Sequence, residues 1–371
     1  MPKILLNFMT KVLISGGGTG GHIFPALSIA NALRRRDPEI EILFVGADNR
    51  MEMERVPAAG YTIKGLPVAG FYRTKIWRNI PVLFKLWKSM RLARSIVREF
   101  RPDIAVGVGG YASGPVLKQA QKKGIPTLIQ EQNSYAGVTN KLLAKKADAI
   151  CVAYGSMDRF FPSEKIIMTG NPVRKDILSS EITRQEAKRQ LGFDPELPLV
   201  VAVGGSLGAR TVNNAMKRAV ERFSREGVSV LWQTGKLYAE ECISVGEGVP
   251  NLQVTPFVGR MDLVYRAADL LVSRAGASTI SEIQLVGIPS VLIPSPNVAE
   301  DHQRKNALAL VARDAAVMIE DSEAEDKLGD VVMELLGDPA RLKTIGGNAA
   351  EMALPDADEK IVDKIFEIIG K

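Results

Sequence analysis

Along the first half of the chain, short unbroken apolar runs (VLIS, IEILFVG, YTIKGL, IAVGVGG, PTLIQE, AICVAY and KIIMTG) alternate with longer stretches in which apolar residues recur at helical spacing. The second half repeats the alternation with LVVAVGG, VSVLWQT, LQVTPF, LLVSRAG, SVLIP and AAVMI. A strand that is apolar at consecutive positions has both faces covered, and a helix between successive strands supplies the covers. The pattern predicts an α/β fold of parallel sheets wrapped by helices, the doubly wound Rossmann-like arrangement.

Sliding the sequence on itself by 188 positions lays VLISGGGTGGH, Val12 to His22, over VVAVGGSLGAR, Val200 to Arg210. Both read as strand, glycine turn, helix. Two similar units in tandem are the simplest explanation, an N-terminal domain over residues 1–174 and a C-terminal one over 175–352, divided near NPVRKD. Pro355 interrupts the late helical pattern, and the amphipathic DEKIVDKIFEIIG within residues 353–371 is expected to return to the first domain. Ligands of such sheets lie outside the carboxyl ends of the strands, so both glycine turns are expected to line a cleft between facing domains.

Composition narrows the class. With 371 residues, 46% hydrophobic and 24% charged, the chain has material for two cores. Cys151 and Cys242 are far apart, with no Cys or His at metal-ligand spacing. That excludes a disulfide or zinc framework and fits the cytoplasm. No run approaches the roughly 18–20 apolar residues of a membrane span, so a membrane role would be peripheral. The opening MPKILLNFMTK lacks the apolar core and cleavage site of a signal peptide, and Met9 is an alternative start to Met1.

The turn GGGTGG, Gly16 to Gly21, satisfies G-x-G-x-x-G, a spacing that serves NAD and other phosphates alike. A dehydrogenase places an acidic residue about 20 positions on. Asp48 lies 27 past Gly21, and NAD gives the second glycine turn no role. In LLVSRAGASTISE, the helix start at Ala277, Ser278 and Thr279 offers backbone N–H groups to a diphosphate. Glu282, one turn further, either accepts two hydrogen bonds from a ribose diol or supports the helix start.

His22 follows the first turn at a helix start, where the dipole favours a neutral ring suited to a general base; the alternative is a cap or loop contact. His302 stands in DHQRKNA, whose Gln303 and Asn306 amides suit sugar hydroxyls, against a solvated helix start. The loops VGGYASGP and IQEQNSYAGVTNK carry Tyr111, Glu131, Asn133 and Asn140 toward the same strand ends. The one D-x-D, Asp356 to Asp358, opens the last helix and reads as capping. No metal site is expected. Helix dipoles, loop N–H groups and cations such as Arg174 or Arg210 balance a diphosphate, with free Mg²⁺ at most a stimulant.

Charge is local. Phe71 to Arg101 holds nine Lys/Arg and one acid, Glu99, a net +8 in a chain of +6, so the remainder is −2. Ile76, Trp77, Leu83, Phe84 and Trp87 interleave there with Lys75, Arg78, Lys85 and Lys88. That mixture suits the surface of an anionic membrane. The alternatives are a helix with one core face and one solvated basic face or, more remotely, nucleic acid, for which no recognised module is present.

Taken together in order, GGGTGGHIFPALSIANAL, GVGGYASGP, EQNSYAGVTNK, TGNPVR, GGSLGAR, SRAGASTISE and DHQRKNA resemble the signature segments of the MurG family, glycosyltransferase family 28. The resemblance spans residues 11 to about 310. It implies a GT-B fold and an inverting transfer of GlcNAc from UDP-GlcNAc to lipid I, undecaprenyl-diphospho-MurNAc-pentapeptide. The product would be the β-1,4-linked lipid II of peptidoglycan, made at the cytoplasmic face of the plasma membrane without a tightly bound cofactor or nucleic acid. By match to the family's motifs, the donor contacts fall on Thr19, Gly20, Gly21, Asn133, Arg174, Ser206, Val258, Ala277, Ser278, Thr279, Ile280, Ser281, Glu282 and Gln303. Glu282 would take the ribose, Gln303 the sugar and the Val258 backbone the uracil. Thr19 to His22 and Tyr111 would face the acceptor, whose diphosphate the first glycine turn would receive, with His22 the candidate base and Thr19, Tyr111 and Asn133 beside it. The basic segment corresponds to the family's membrane-docking region.

Overall fold

A computed structural model describes residues 9–70, 80–173, 177, 182–205 and 207–370 of the chain. It divides into two compact units, Met1–Val173 with Asp356–Lys371, and Arg174–Pro355. In the first unit, strands β1 (Lys11–Ser15), β2 (Glu41–Ala47), β3 (Thr62–Leu66), β4 (Ile104–Gly107), β5 (Thr127–Glu131), β6 (Ala149–Val152) and β7 (Ile166–Met168) form one parallel sheet in the order β3-β2-β1-β4-β5-β6-β7. Helices α1 (Gly20–Arg36), α2 (Glu52–Ala58), α3 (Ile80–Phe100), α4 (Ser113–Lys122) and α5 (Val138–Ala144) lie between the strands.

The two-residue period of a strand explains the layers. Val12 and Ile14 pack with Ala26, Ile29 and Leu33 of α1, whereas Leu13 between them packs with Val97 of α3 and Leu117 of α4. Each such aliphatic side chain contributes about 1.5–3 kcal/mol on burial. Three arginines, Arg34 to Arg36, close α1, where cations complement its negative end.

The second unit repeats the plan. Its strands β8 (Leu199–Val203), β9 (Ser229–Gln233), β10 (Leu252–Thr255), β11 (Leu270–Ser273), β12 (Ser290–Leu292) and β13 (Val317–Met318) are parallel in the order β10-β9-β8-β11-β12-β13. Helices α6 (Arg184–Gln190), α7 (Arg210–Arg225), α8 (Ala239–Gly246), α9 (Met261–Ala267), α10 (Ala277–Val286), α11 (His302–Val311), α12 (Ala324–Leu336) and α13 (Pro339–Glu351) accompany them. Val200, Ala202 and Trp232 face α7 and α12; Leu199, Val201 and Leu231 face the opposite layer, with Ile280 of α10 and Leu310 of α11.

The last helix, α14 (Ala357–Ile369), belongs to the first unit, where Ile361, Val362 and Ile365 join the α1 layer. Arg35 of α1 pairs with Asp358 at 2.7 Å and Glu359 at 2.8 Å. Asp358 of the D-x-D therefore serves in an ion pair between two helices of one layer. The N-cap Asp356 makes no side-chain cap bond, which corrects the expectation of capping. Both cysteines are buried free thiols, and burial pushes Cys151 up to about 12.

Candidate functional site

In both sheets the strand order reverses beside the first strand, and the glycine turns follow β1 and β8 at those switch points. In the first unit the loop after β4 is fastened to β1: Val108 N donates to Ser15 O at 2.9 Å, and the Ser113 hydroxyl reaches Ser15 O at 2.7 Å and Gly109 O at 2.8 Å. A Cβ at Gly109 would lie 2.8 Å from His22 Cδ2 and 2.9 Å from Nε2, so only glycine lets the imidazole sit against this backbone. Thr19 is the N-cap of α1, but its hydroxyl makes no cap bond and lies 3.2 Å from His22 Nδ1. Thr19, Gly20, Gly21 and His22 thus form one corner, with the exposed Tyr111 on the neighbouring loop.

The 131–140 loop departs from the sequence reading. Glu131 and Asn140 are buried, not presented outward. The Glu131 carboxylate accepts from Asn133 N at 3.1 Å, Asn133 Nδ2 at 3.3 Å, Gly137 N at 2.9 Å and Asn140 Nδ2 at 2.9 Å. A carboxylate without solvent is tolerable only with such donors, so Glu131 organises the loop and Asn133 is its partly exposed member. Beneath it, Gln132 donates to Val108 O at 2.8 Å, Gln130 donates to Asn171 Oδ1 at 3.0 Å and Asn171 donates to Gln132 O at 3.0 Å.

One residue the sequence reading passed over fills the first turn. Glu52, buried at the start of α2, accepts from Gly18 N at 3.0 and 3.1 Å through its two oxygens and from Ala47 N at 2.9 Å. Asp48 immediately follows β2, where a dinucleotide fold puts its ribose acid, so spacing alone excluded less than expected. The carboxylate already seated in the turn is the stronger argument against NAD there.

In the second unit, a neutral amide holds the corresponding turn. Gln233, the last residue of β9, accepts from Gly205 N at 3.1 Å and donates to Gly205 O and Pro256 O, both at 2.9 Å. Arg274, half-buried after β11, pairs with Asp321, which also accepts from the Thr211 hydroxyl at 3.0 Å. Asp321 thereby links the loop after β11 to the start of α7.

The run Ala277 to Glu282 does not act as a block, because a helix turns its residues to different sides. Ile280 is fully buried in the core, Ala277 is buried, and the Ser281 hydroxyl returns to Ala277 O at 3.1 Å. Any donor contact of these three residues would therefore be made by their backbone, as the sequence reading has it for Ala277. Ser278, Thr279 and Glu282 share another side; Ser278 Oγ is buried with no hydrogen-bond partner among the described residues. Glu282 accepts the Tyr265 hydroxyl at 2.7 Å, a contact between α9 and α10 in place of a capping box. Gln303 Oε1 accepts from Ser295 N at 2.9 Å, and Val258 turns its side chain onto the core. Arg174 and Ser206 lie outside the described residues. Among the described residues, no group of three His, Cys, Asp or Glu could hold a metal.

The basic segment is described from Ile80 onward, so Lys75, Ile76, Trp77 and Arg78 lie outside the described residues. α3 buries Val82, Ser89, Ala93, Ile96 and Val97. Yet Leu83, Phe84 and Trp87 are exposed beside Lys85 and Lys88, with Phe84 71% exposed, so the core face does not account for the apolar content. Among the described residues, no helix is long and apolar enough to cross a membrane.

Comparison with known proteins extends these findings. Residues 12–152 match the glycosyltransferase family 28 N-terminal domain and residues 199–361 its C-terminal domain. A relative from Phocaeicola vulgatus, named UDP-N-acetylglucosamine--N-acetylmuramyl-(pentapeptide) pyrophosphoryl-undecaprenol N-acetylglucosamine transferase, is 56% identical over 97% of each chain. A relative of the same name from Parabacteroides distasonis is 55% identical over 97% of this chain and 99% of its own. The crystal structure of Acinetobacter baumannii MurG superposes with a TM-score of 0.77 at 29% identity, covering 96% of this chain and 99% of that one. A UDP-GlcNAc 2-epimerase from Neisseria meningitidis superposes at 0.70 with 12% identity, over 97% and 100%, and shares the fold alone. With both domain models matched in order and relatives more than half identical over nearly the whole length, the chain belongs to the MurG family within glycosyltransferase family 28.

Proposed function

We propose that the protein transfers GlcNAc from UDP-GlcNAc to the C4 hydroxyl of MurNAc in lipid I, with inversion, giving lipid II for peptidoglycan. The observation that carries this reading is the near-complete alignment with a 56% identical relative named for that transfer. The second unit takes the donor: α10's first-turn N–H groups face the diphosphate and Glu282, oriented by Tyr265, receives the ribose. The first unit takes the acceptor at Thr19 to His22, Tyr111 and Asn133. His22 removes the C4 hydroxyl proton as that oxygen bonds to the sugar C1 and the C1–O bond to UDP breaks. UDP leaves as an anion that helix-start N–H groups stabilise without a protein-held metal.

Exposed Leu83, Phe84 and Trp87 beside Lys85 and Lys88 support peripheral attachment to an anionic membrane, at its cytoplasmic face, where lipid I is presented. Incubation with labelled UDP-GlcNAc and a short-chain lipid I analogue tests the reading; the expected product is the acceptor disaccharide with stoichiometric UDP. An epimerase of this fold would instead convert UDP-GlcNAc with no acceptor present, and that result would overturn the proposal.

A further inference from the structure

We propose that Glu52 is a positioning residue, a carboxylate built into the first glycine turn in place of a ligand's anion, which sets the backbone that carries Thr19 and His22. Three observations converge. The side chain is 1% exposed, and its oxygens accept from Gly18 N and Ala47 N at 2.9–3.1 Å, joining the loops after β1 and β2. Gly17 has φ +147°, and a Cβ there would fall inside the Glu52 carboxylate; a Cβ on Gly46 would also meet it. These two glycines therefore make room for the side chain. Gly18 directly precedes Thr19, the N-cap of α1, whose hydroxyl lies against His22. Releasing the Gly18 N–H would let the Thr19–His22 corner shift relative to the Gly109 backbone on which the imidazole packs.

The corresponding turn of the second unit makes the case sharper. There Gly205, the counterpart of Gly17, is held by Gln233, a neutral amide, so Gln233 adds no negative charge where a diphosphate is to bind. Charge in the first turn and neutrality in the second divide the labour: one turn is occupied in advance and rigid, the other is open to an anion.

The inference rests on the transfer proposed above, and the test separates the two. Glu52→Ala and Glu52→Gln would be assayed for disaccharide formation, with UDP affinity by calorimetry and folding by thermal melts. Misplacing a catalytic corner lowers kcat about 10²-fold, the loss expected for Glu52→Ala. Glu52→Gln keeps the volume but sets an NH₂ against a donor, and about a tenfold loss is expected. UDP affinity should stay within about twofold, as for independent sites. Formate, which can refill the vacated position, should restore turnover to Glu52→Ala, whereas chloride should not. Should Glu52→Ala not fold, Glu52→Gln carries the test. Full turnover in a folded variant, or equal losses of kcat and UDP affinity, would overturn the inference. A parent protein that forms no disaccharide would overturn the proposed function instead.

Discussion

The glycine turns after β1 and β8 share a strand, a switch point and an aligned pair of glycines, yet differ in what holds them. In the first unit a buried carboxylate from α2 grips Gly18; in the second an amide at the end of β9 grips Gly205. A helix-start turn attracts anions through its N–H groups. Supplying the anion from within closes that capacity, and supplying a neutral partner preserves it. On the roles proposed above, the same topology yields one turn that positions a proton acceptor and another that receives a diphosphate. A glycine pattern alone does not distinguish the two.

The comparison can be broken most severely at the first turn. His22→Ala should lower kcat by about 10²–10⁴-fold, the usual contribution of a general base. UDP affinity, measured by calorimetry, should be nearly unchanged; an equal loss would make His22 a structural contact. Gln233→Glu asks whether neutrality matters in the second turn. A like charge about 4 Å from a phosphate opposes binding by about 4 kcal/mol at a surface-like dielectric, and after screening roughly a 10²-fold weaker UDP affinity is expected. Turnover at saturating donor should suffer less.

Between these and the smallest effects lies the surface of α3. Replacing Lys85 and Lys88 with Gln removes about 1 kcal/mol of attraction each. Co-sedimentation with phosphatidylserine vesicles should fall about 30-fold, against little change on neutral vesicles. Tyr265→Phe removes the hydroxyl that orients Glu282. The donor KM should rise about tenfold, at the weaker end for a hydrogen bond to a charged group; an unchanged KM would detach Glu282 from the ribose.

The smallest effect is a control in the second unit before β13. Two hydrogen bonds from the Arg341 guanidinium hold the Asp314 carboxyl below the usual carboxylate range. A depressed folded value means that the native state binds fewer protons, so its stabilisation is present above about pH 4. It disappears as pH falls through the lower folded value. Asp314→Asn should lower the melting temperature slightly at pH 7 and progressively less as the pH falls below about 4, with UDP affinity intact at pH 7.

Much of this was legible in the sequence because it is local. Each apolar run became a strand, from VLIS as β1 to AAVMI around β13, since consecutive apolar residues demand two covered faces. The 188-residue offset exposed the repeated turn. The side chains around the turns were less legible. Glu52 in MEMERVP reads no differently from its exposed neighbour Glu54, and only the approach of α2 to the β1 loop buries one of them. Glu131 and Asn140 looked like site residues by position, but burial turned them into supports. Ile280 sits inside a motif expected to contact the donor, and helical rotation sends its side chain to the core.

The sequence by itself determined the parallel sheets, their glycine turns and the local basicity of the α3 segment, because strand burial, turn geometry and net charge follow from residue type and period. The tertiary structure alone decided which charges are buried as supports. Glu52 meets Gly18 across 34 residues, Tyr265 meets Glu282 across 17, and Arg35 meets Asp358 across 323. No local preference encodes such pairings; they follow from how helices settle on the sheet.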